Sequence, residues 1–549
     1  MSAFDFDAIV IGSGFGGSVM TLRLAEKGLR VCLLERGKRY GMHGFPRRIH
    51  EMKSRLFWDP ADKRYGFMEF RDYAESDLMS VCASGLGGGS LIYANVLMRM
   101  PPEFFAGWPG GISRELLDPY YDKVLETMEA SPYPFTSDPY YRDTPKTAAF
   151  RELCGDLEME EDFSGRPEFI FPDLAVNFRG TFPGEQSRNR HGAVQSRCNK
   201  CGECDLGCNL LAKNTLDLNY IYSAEHNVPV KAEVRTSTQV EKILPLAGGG
   251  YRVEFVDPES GAESSLTAAR VVLSAGSLGS CRLLWKMKRA GVLPKLSAEL
   301  GKHWCGNGDL EGTALGCARI VYPTKGPVIT GAIRYRFRDY PDGFRHGVFI
   351  QDAGFPVGLA WFLAGKLPSP GAFRGLLKMA WIFLRGLAIR LFRLKAKTEV
   401  NIGDKLAGVL DSDEFVQRGF VLLGMGRDRN DGEIVLRDDG EPVIKWKMAA
   451  SRLHYDRVRR EMKKIARHLG GRFVDNPLTH LDKIIAVHPI GGCVMAESPE
   501  SGVVNPRGEV FGYPGLYVVD ASIIPTSLGP NPSLTIAALA EYIADRLEV

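Results

Sequence analysis

Residues 8–17 run Ala8-Ile9-Val10-Ile11-Gly12-Ser13-Gly14-Phe15-Gly16-Gly17, an apolar, β-branched stretch that breaks into G-x-G-x-x-G. The apolar run predicts a buried parallel strand. Val19, Leu22, Leu24 and Ala25 follow at near-helical spacing, Gly28 is placed to stop that helix, and Val31-Cys32-Leu33-Leu34 forms a second strand ending at Glu35. In such a β-α-β unit the first glycine, Gly12, makes the tight turn. Gly14 lets backbone approach a pyrophosphate, and Gly17 lets helix pack on strand. The helix N-terminus then faces the phosphates. Glu35, 18 residues after Gly17, is placed to accept from a ribose hydroxyl. Strand, helix, strand and acid together predict a dinucleotide-binding fold, with NAD or FAD left open by this motif.

A second glycine run, Gly85-Leu86-Gly87-Gly88-Gly89-Ser90, favours FAD. Consecutive glycines bring backbone N–H groups close to an anion or a ring edge, and FAD needs contacts along its whole length. The chain is 549 residues long, too long for one core, so two large or interleaved units are expected. With 44% hydrophobic and 25% charged residues it reads as globular, and a net charge of +3 without a nucleic-acid module argues against nucleic acid as partner. The N-terminus lacks a basic n-region. No run of 18 uncharged apolar residues appears. Eleven cysteines without a secretory signal suggest reduced thiols in a cytoplasmic setting.

The carboxyl end carries the other dense signal. His488 precedes Pro489-Ile490-Gly491-Gly492-Cys493, Leu516 to Val519 is a strand ending in Asp520, and Ser527 to Ser533 is a turn before a closing helix. Pro532 suits a first helical position, and the positive end of that helix would face a reduced flavin. Alcohol oxidation removes a proton from oxygen while hydride leaves carbon. His488 can accept the proton, and the Asn531 amide can orient the oxygen.

These segments, together with Val271-Val272-Leu273-Ser274-Ala275-Gly276-Ser277-Leu278-Gly279-Ser280, resemble the glucose–methanol–choline (GMC) oxidoreductases, most of all the cholesterol oxidase branch. The resemblance implies an α/β fold: a Rossmann-like FAD-binding domain interleaved with a substrate domain built on an antiparallel sheet capped by helices. It implies FAD-dependent oxidation of a secondary alcohol on a bulky apolar, sterol-like substrate, with His488 and Asn531 catalytic. It places Gly88, Gly89, Ser90, Ala275, Gly276, Val240 (at adenine), Asp520 (at the ribityl chain and diphosphate) and Pro532 around FAD. Two positions depart from the family. Ile92 stands where some members tether flavin through histidine, so FAD is expected to be non-covalent. Tyr93 stands where many have a flavin-contacting asparagine, with Asn95 two residues on. The branch's active-site carboxylate has no evident counterpart by alignment.

On this pattern the FAD-binding domain takes residues 1–50, 75–105, 190–310 and 480–549, and the substrate domain takes 51–74, 106–189 and 311–479. Within the latter, 138–188 reads as irregular, and Tyr455 to Leu469 as a helix with a solvated basic face. Residues 353–398 hold no acid and eight Lys or Arg among Trp, Phe and Leu. The stretch 373–397 suits either a membrane-surface helix or a cap over the cavity, so the protein is expected in the cytoplasm or peripheral to the inner membrane face. Cys198, Cys201, Cys204 and Cys208 have the C-x₂-C-x₂-C-x₃-C spacing of a ferredoxin loop. An iron–sulfur cluster there would hand electrons to a quinone or carrier protein. Structural thiols are the equal alternative, with disulfide or zinc behind them.

Overall fold

The computed structural model describes residues 4–73, 75–340, 343–355, 414–476 and 483–548. Its first sheet has seven strands. Phe6–Ile11 lies at the centre, flanked in parallel by Val31–Leu34 and Glu263–Leu273, with Glu233–Arg235 and Leu516–Val518 parallel beyond them. This is the expected buried parallel arrangement: Ala8, Ile9, Val10 and all of Val31–Leu34 are buried. Tyr251–Val256 and Gln239–Pro245 add an antiparallel extension. The helix Phe15–Glu26 packs against the helix Ser533–Arg546. Between them Arg23 forms a bidentate pair with the fully buried Glu541 at 2.8 Å on both arms.

A second sheet has six strands, all antiparallel, in the order Arg472–Asp475, Leu310–Leu315, Phe420–Gly426, Val348–Ala353, Ala332–Tyr335, Glu168–Ile170. Its outer face carries the helix Arg452–His468, brought close by glycines: a Cβ at Gly424 would lie 2.4 Å from Val458, and one at Gly312 3.5 Å from Met462. The expectation of an antiparallel substrate sheet capped by a helix is met. That helix is less solvated than its composition suggests, because Arg457 is buried over the Phe337 ring (4.7 Å) and Glu461 is buried too.

Two expectations need correction. Residues 138–188 contain the helix Pro145–Asp156, with Phe150 and Leu153 buried one turn apart and Pro145 at its start, where a missing N–H is harmless. Met68–Asp72 pairs with Leu78–Ala83, and that strand with Ile484–Ala486, so the expected boundary at 74/75 runs between two paired strands. The basic insertion lies outside the described residues apart from 353–355.

Candidate active site

One cavity of about 1350 Å³ runs from the first glycine loop to His488 and Asn531. At the loop end, Gly12 turns the chain at φ +95°, where a Cβ would strike the Ser274 carbonyl oxygen at 2.4 Å. A Cβ at Gly17 would lie 1.9 Å from Gly12 O, and one at Gly16 1.7 Å from Val519 O. Gly14 and Gly89 are different: nothing among the described residues stands within 4 Å of their Cβ positions, and both line the cavity. Gly88 touches Gly14, so the two glycine loops meet there. The open ground above Gly14 is where a diphosphate fits.

The electrostatics agree with an anionic occupant. The helices Phe15–Glu26 and Ser533–Arg546 both begin on this cavity without a side-chain cap, which leaves N–H donors and a positive dipole end facing it. Asp520 ties a third helix, Gly276–Arg289, to the end of the strand Leu516–Val518, accepting from Gly276 N (2.9 Å) and Ser280 Oγ (2.6 Å). Glu35 accepts from Ser13 Oγ at 2.6 Å and Gly37 N at 2.9 Å, and still borders the cavity with lone pairs to spare for a ribose. Tyr93, Val240, Ala275, Gly276 and Pro532 also line it.

Gly17, Ser90 and Asn95 do not. Gly17 serves helix-on-strand packing. The Ser90 hydroxyl is already used, donating to Gly87 O in its own loop (2.7 Å) and accepting from Leu216 N of a distant segment (3.1 Å). Asn95 is buried behind the wall, its amide beside the Cys204 thiol.

At the far end His488 Nδ1 lies 2.7 Å from Asp309 Oδ1. Asp309 Oδ2 accepts from the backbone N–H groups of Val487 (2.8 Å) and His488 (3.1 Å). An Nδ1–H donated to this buried carboxylate leaves Nε2 as the basic ring nitrogen. Asp309 is a buried carboxylate that the sequence pattern does not single out. Its signal is the run Gly306-Asn307-Gly308-Asp309, where Asn307 and Gly308 take positive φ (59° and 67°) and wind a tight polar turn into a strand. The same turn holds the other half of the site. Asn307 Oδ1 accepts from Leu528 N (2.8 Å) and Gly529 N (3.2 Å), and its Nδ2 donates to Pro530 O (2.9 Å), next to Asn531.

The six-stranded sheet roofs this end. Its register aligns Glu311, Leu423 and Gln351 across one face, with Thr313, Val421 and Ala353 in the next row. Val328, Ile329 and Phe355 extend an apolar wall. Glu311 interrupts it. Burial first, then the nearby Asp309 and Asp205, push its carboxyl up to about 7 from an ordinary 4.5. Between those pH values the unfolded chain ionises before the folded one, so stability falls as pH rises. Glu311→Gln should therefore match the parent in thermal midpoint near pH 4 and exceed it at pH 8. An equal shift at both pH values would contradict this assignment.

All four cysteines of the 198–208 loop are free, and Cys201 borders the cavity. The loop folds around a buried ammonium: Lys213 Nζ donates to Leu91 O (2.9 Å), Tyr93 O (3.1 Å) and Cys204 O (2.8 Å), tying it to the second glycine loop. Among the described residues no three His, Cys, Asp or Glu side chains are arranged to hold a metal.

Residues 428–540 match the family model described as GMC oxidoreductase, and residues 10–67 match an NAD(P)-binding Rossmann-like domain. A cholesterol oxidase of Mycobacterium tuberculosis is 30% identical over 98% of this chain and 90% of its own length. One from Acinetobacter baumannii is 29% identical over 98% and 93%. Among solved structures, pyridoxine 4-oxidase from Mesorbium loti superimposes with a TM-score of 0.58 at 17% identity, covering 98% of each chain. That likeness speaks for the fold alone.

Proposed function

The chain belongs to the GMC oxidoreductase family, in its cholesterol oxidase-like branch, and is an FAD-dependent alcohol oxidoreductase; from that premise we propose that it oxidises a secondary alcohol carried on a bulky, apolar, sterol-like molecule. One observation carries the proposal. The cavity that begins at the glycine loops ends at His488 and Asn531, each held by its own buried partner under an apolar roof. Bound FAD supplies the hydride acceptor. The loops at Gly14 and Gly88–Gly89, Glu35, Asp520 and the uncapped start of Ser533–Arg546 would hold it, non-covalently, since Ile92 offers no atom for a bond.

His488 Nε2 takes the hydroxyl proton, and Asp309 stabilises the imidazolium that results. Asn531 Nδ2 donates to the substrate oxygen as negative charge grows on it. The apolar wall excludes water and accepts the ring system. Anaerobic addition of cholesterol in detergent should bleach the flavin in a single turnover. Loss of colour with a long-chain primary alcohol but not with cholesterol would overturn the substrate class.

A second reading concerns the electron acceptor. Tyr93 stands edge-on to Phe15 of the first glycine loop (5.6 Å between centroids), and Lys213, beside the cysteine loop, lies 5.0 Å from the same ring. A cluster on Cys198, Cys201, Cys204 and Cys208 would therefore sit one residue from the flavin site, and electrons would pass to a quinone or carrier protein. Forming it requires the thiols to converge further than they do here. The same anaerobic sample, assayed for iron and acid-labile sulfide, separates the cases. Flavin bands alone, with peroxide formed one-for-one with ketone, would remove this reading.

A further inference from the structure

We infer that Gln351 is a positioning residue, which fixes the Asn531 side chain so that its Nδ2, and not its Oδ1, faces the substrate oxygen. The inference rests on the role proposed above for Asn531.

Gln351 lies on the strand Val348–Ala353, paired with Ala332 on one side and Leu423 on the other. It is wholly buried. Its Nε2 donates to Asn531 Oδ1 at 2.7 Å and has the Met98 sulfur at 3.8 Å. Its own Oε1 has no hydrogen-bond partner among the described residues. A buried acceptor left unmet is costly. What the amide provides is the donated hydrogen bond.

That bond decides which way Asn531 points. Asn307 pins the backbone from Leu528 to Pro530, but the Asn531 amide can still turn about its last bond. With Oδ1 occupied by Gln351, Nδ2 remains as the group exposed to the cavity. A donor is what the reaction needs there, because the substrate oxygen gains negative charge as its proton leaves. The strand that presents Gln351 is itself locked. Asp352 accepts from Thr330 N (2.8 Å) and Gly331 N (2.7 Å), and the buried Lys146 donates to Asp352 O at 2.7 Å.

The test is Gln351→Glu in the FAD-loaded protein, with cholesterol as substrate. A protonated glutamic acid still donates to Asn531 Oδ1, whereas its carboxylate cannot. Burial raises the carboxyl's pKa, so both forms can be reached. Flavin reduction should be near that of the parent at low pH and fall by about 10–10²-fold as pH rises, a limb absent from the parent. Gln351→Leu should be slow at every pH while keeping its flavin and melting temperature. Crystal structures of Gln351→Glu at the two pH extremes should show the Asn531 amide turned only at high pH.

Parent-like reduction by both variants, a rate relative to the parent that climbs with pH in Gln351→Glu, or an unmoved amide would overturn the inference. Asn531→Ala separates the two layers. If it too reduces flavin normally, the role of Asn531 itself fails. If it is slow while both Gln351 variants are normal, only the positioning role fails.

Discussion

His488→Ala should retain its FAD and reduce it about 10²–10⁴-fold more slowly under anaerobic single turnover, the range for loss of a positioned acid–base group. The geometry makes this variant unusually clean. Asp309 is fully buried, and truncating its partner would ordinarily strand a charge. Here the carboxylate keeps the N–H groups of Val487 and His488 at 2.8 and 3.1 Å, so the loop stays anchored without the ring. The truncation leaves an imidazole-shaped space at the cavity wall, and free imidazole should restore part of the rate. Asp309→Asn is the complementary probe. An asparagine can accept from Nδ1–H or from the backbone, but a flipped amide would offer a donor to Nδ1 and favour the wrong tautomer. It should lose rate without losing flavin. Near-normal flavin reduction in His488→Ala would take the histidine out of the mechanism, whatever Asp309 does.

The flavin end of this molecule was legible in the sequence because its constraints are local. A strand, a turn at positive φ and a helix all fall within residues 6–26, and the closest clash that demands glycine at position 17 is with Gly12 in the same motif. His488 and Asn531 stand out in the sequence as candidates, since each sits in a turn with strong punctuation. What held them was not. Asp309 and Asn307 lie about 180–220 positions from the groups they hold, and Gln351 180 from its partner. Those links run through sheet register, which a single chain does not display. Ser90 and Asn95 were misplaced for a related reason: a small polar residue beside a glycine loop reads as ligand-facing, yet both turn inward to satisfy backbone or pack on the cysteine loop.

The sharpest contrast at the cofactor end lies within one motif. Gly17→Ala would put a methyl 1.9 Å from the Gly12 carbonyl oxygen and 3.1 Å from the Ser274 Cβ. The first is backbone at the turn that joins strand to helix, so neither side can yield without unpicking the sheet. That strain belongs with the exceptional losses, above about 4 kcal/mol, and the variant should be insoluble or melt far below the parent, with or without flavin. Gly14→Ala is sterically silent in the protein alone. Its φ of −70° is open to any L-residue, and nothing among the described residues lies within 4 Å of the new methyl. The methyl instead occupies the ground where the diphosphate approaches the helix start. Each charged hydrogen bond lost there is worth about 1.5–3 kcal/mol, so one alone weakens FAD by at least about tenfold. Gly14→Ala should thus fold, with a native far-ultraviolet spectrum, and emerge colourless or bleach on dilution. Both variants behaving alike, or Gly14→Ala holding a full complement of flavin, would mean that the dinucleotide does not lie over Gly14, and the hydride path to His488 would have to be redrawn from the other end of the cavity.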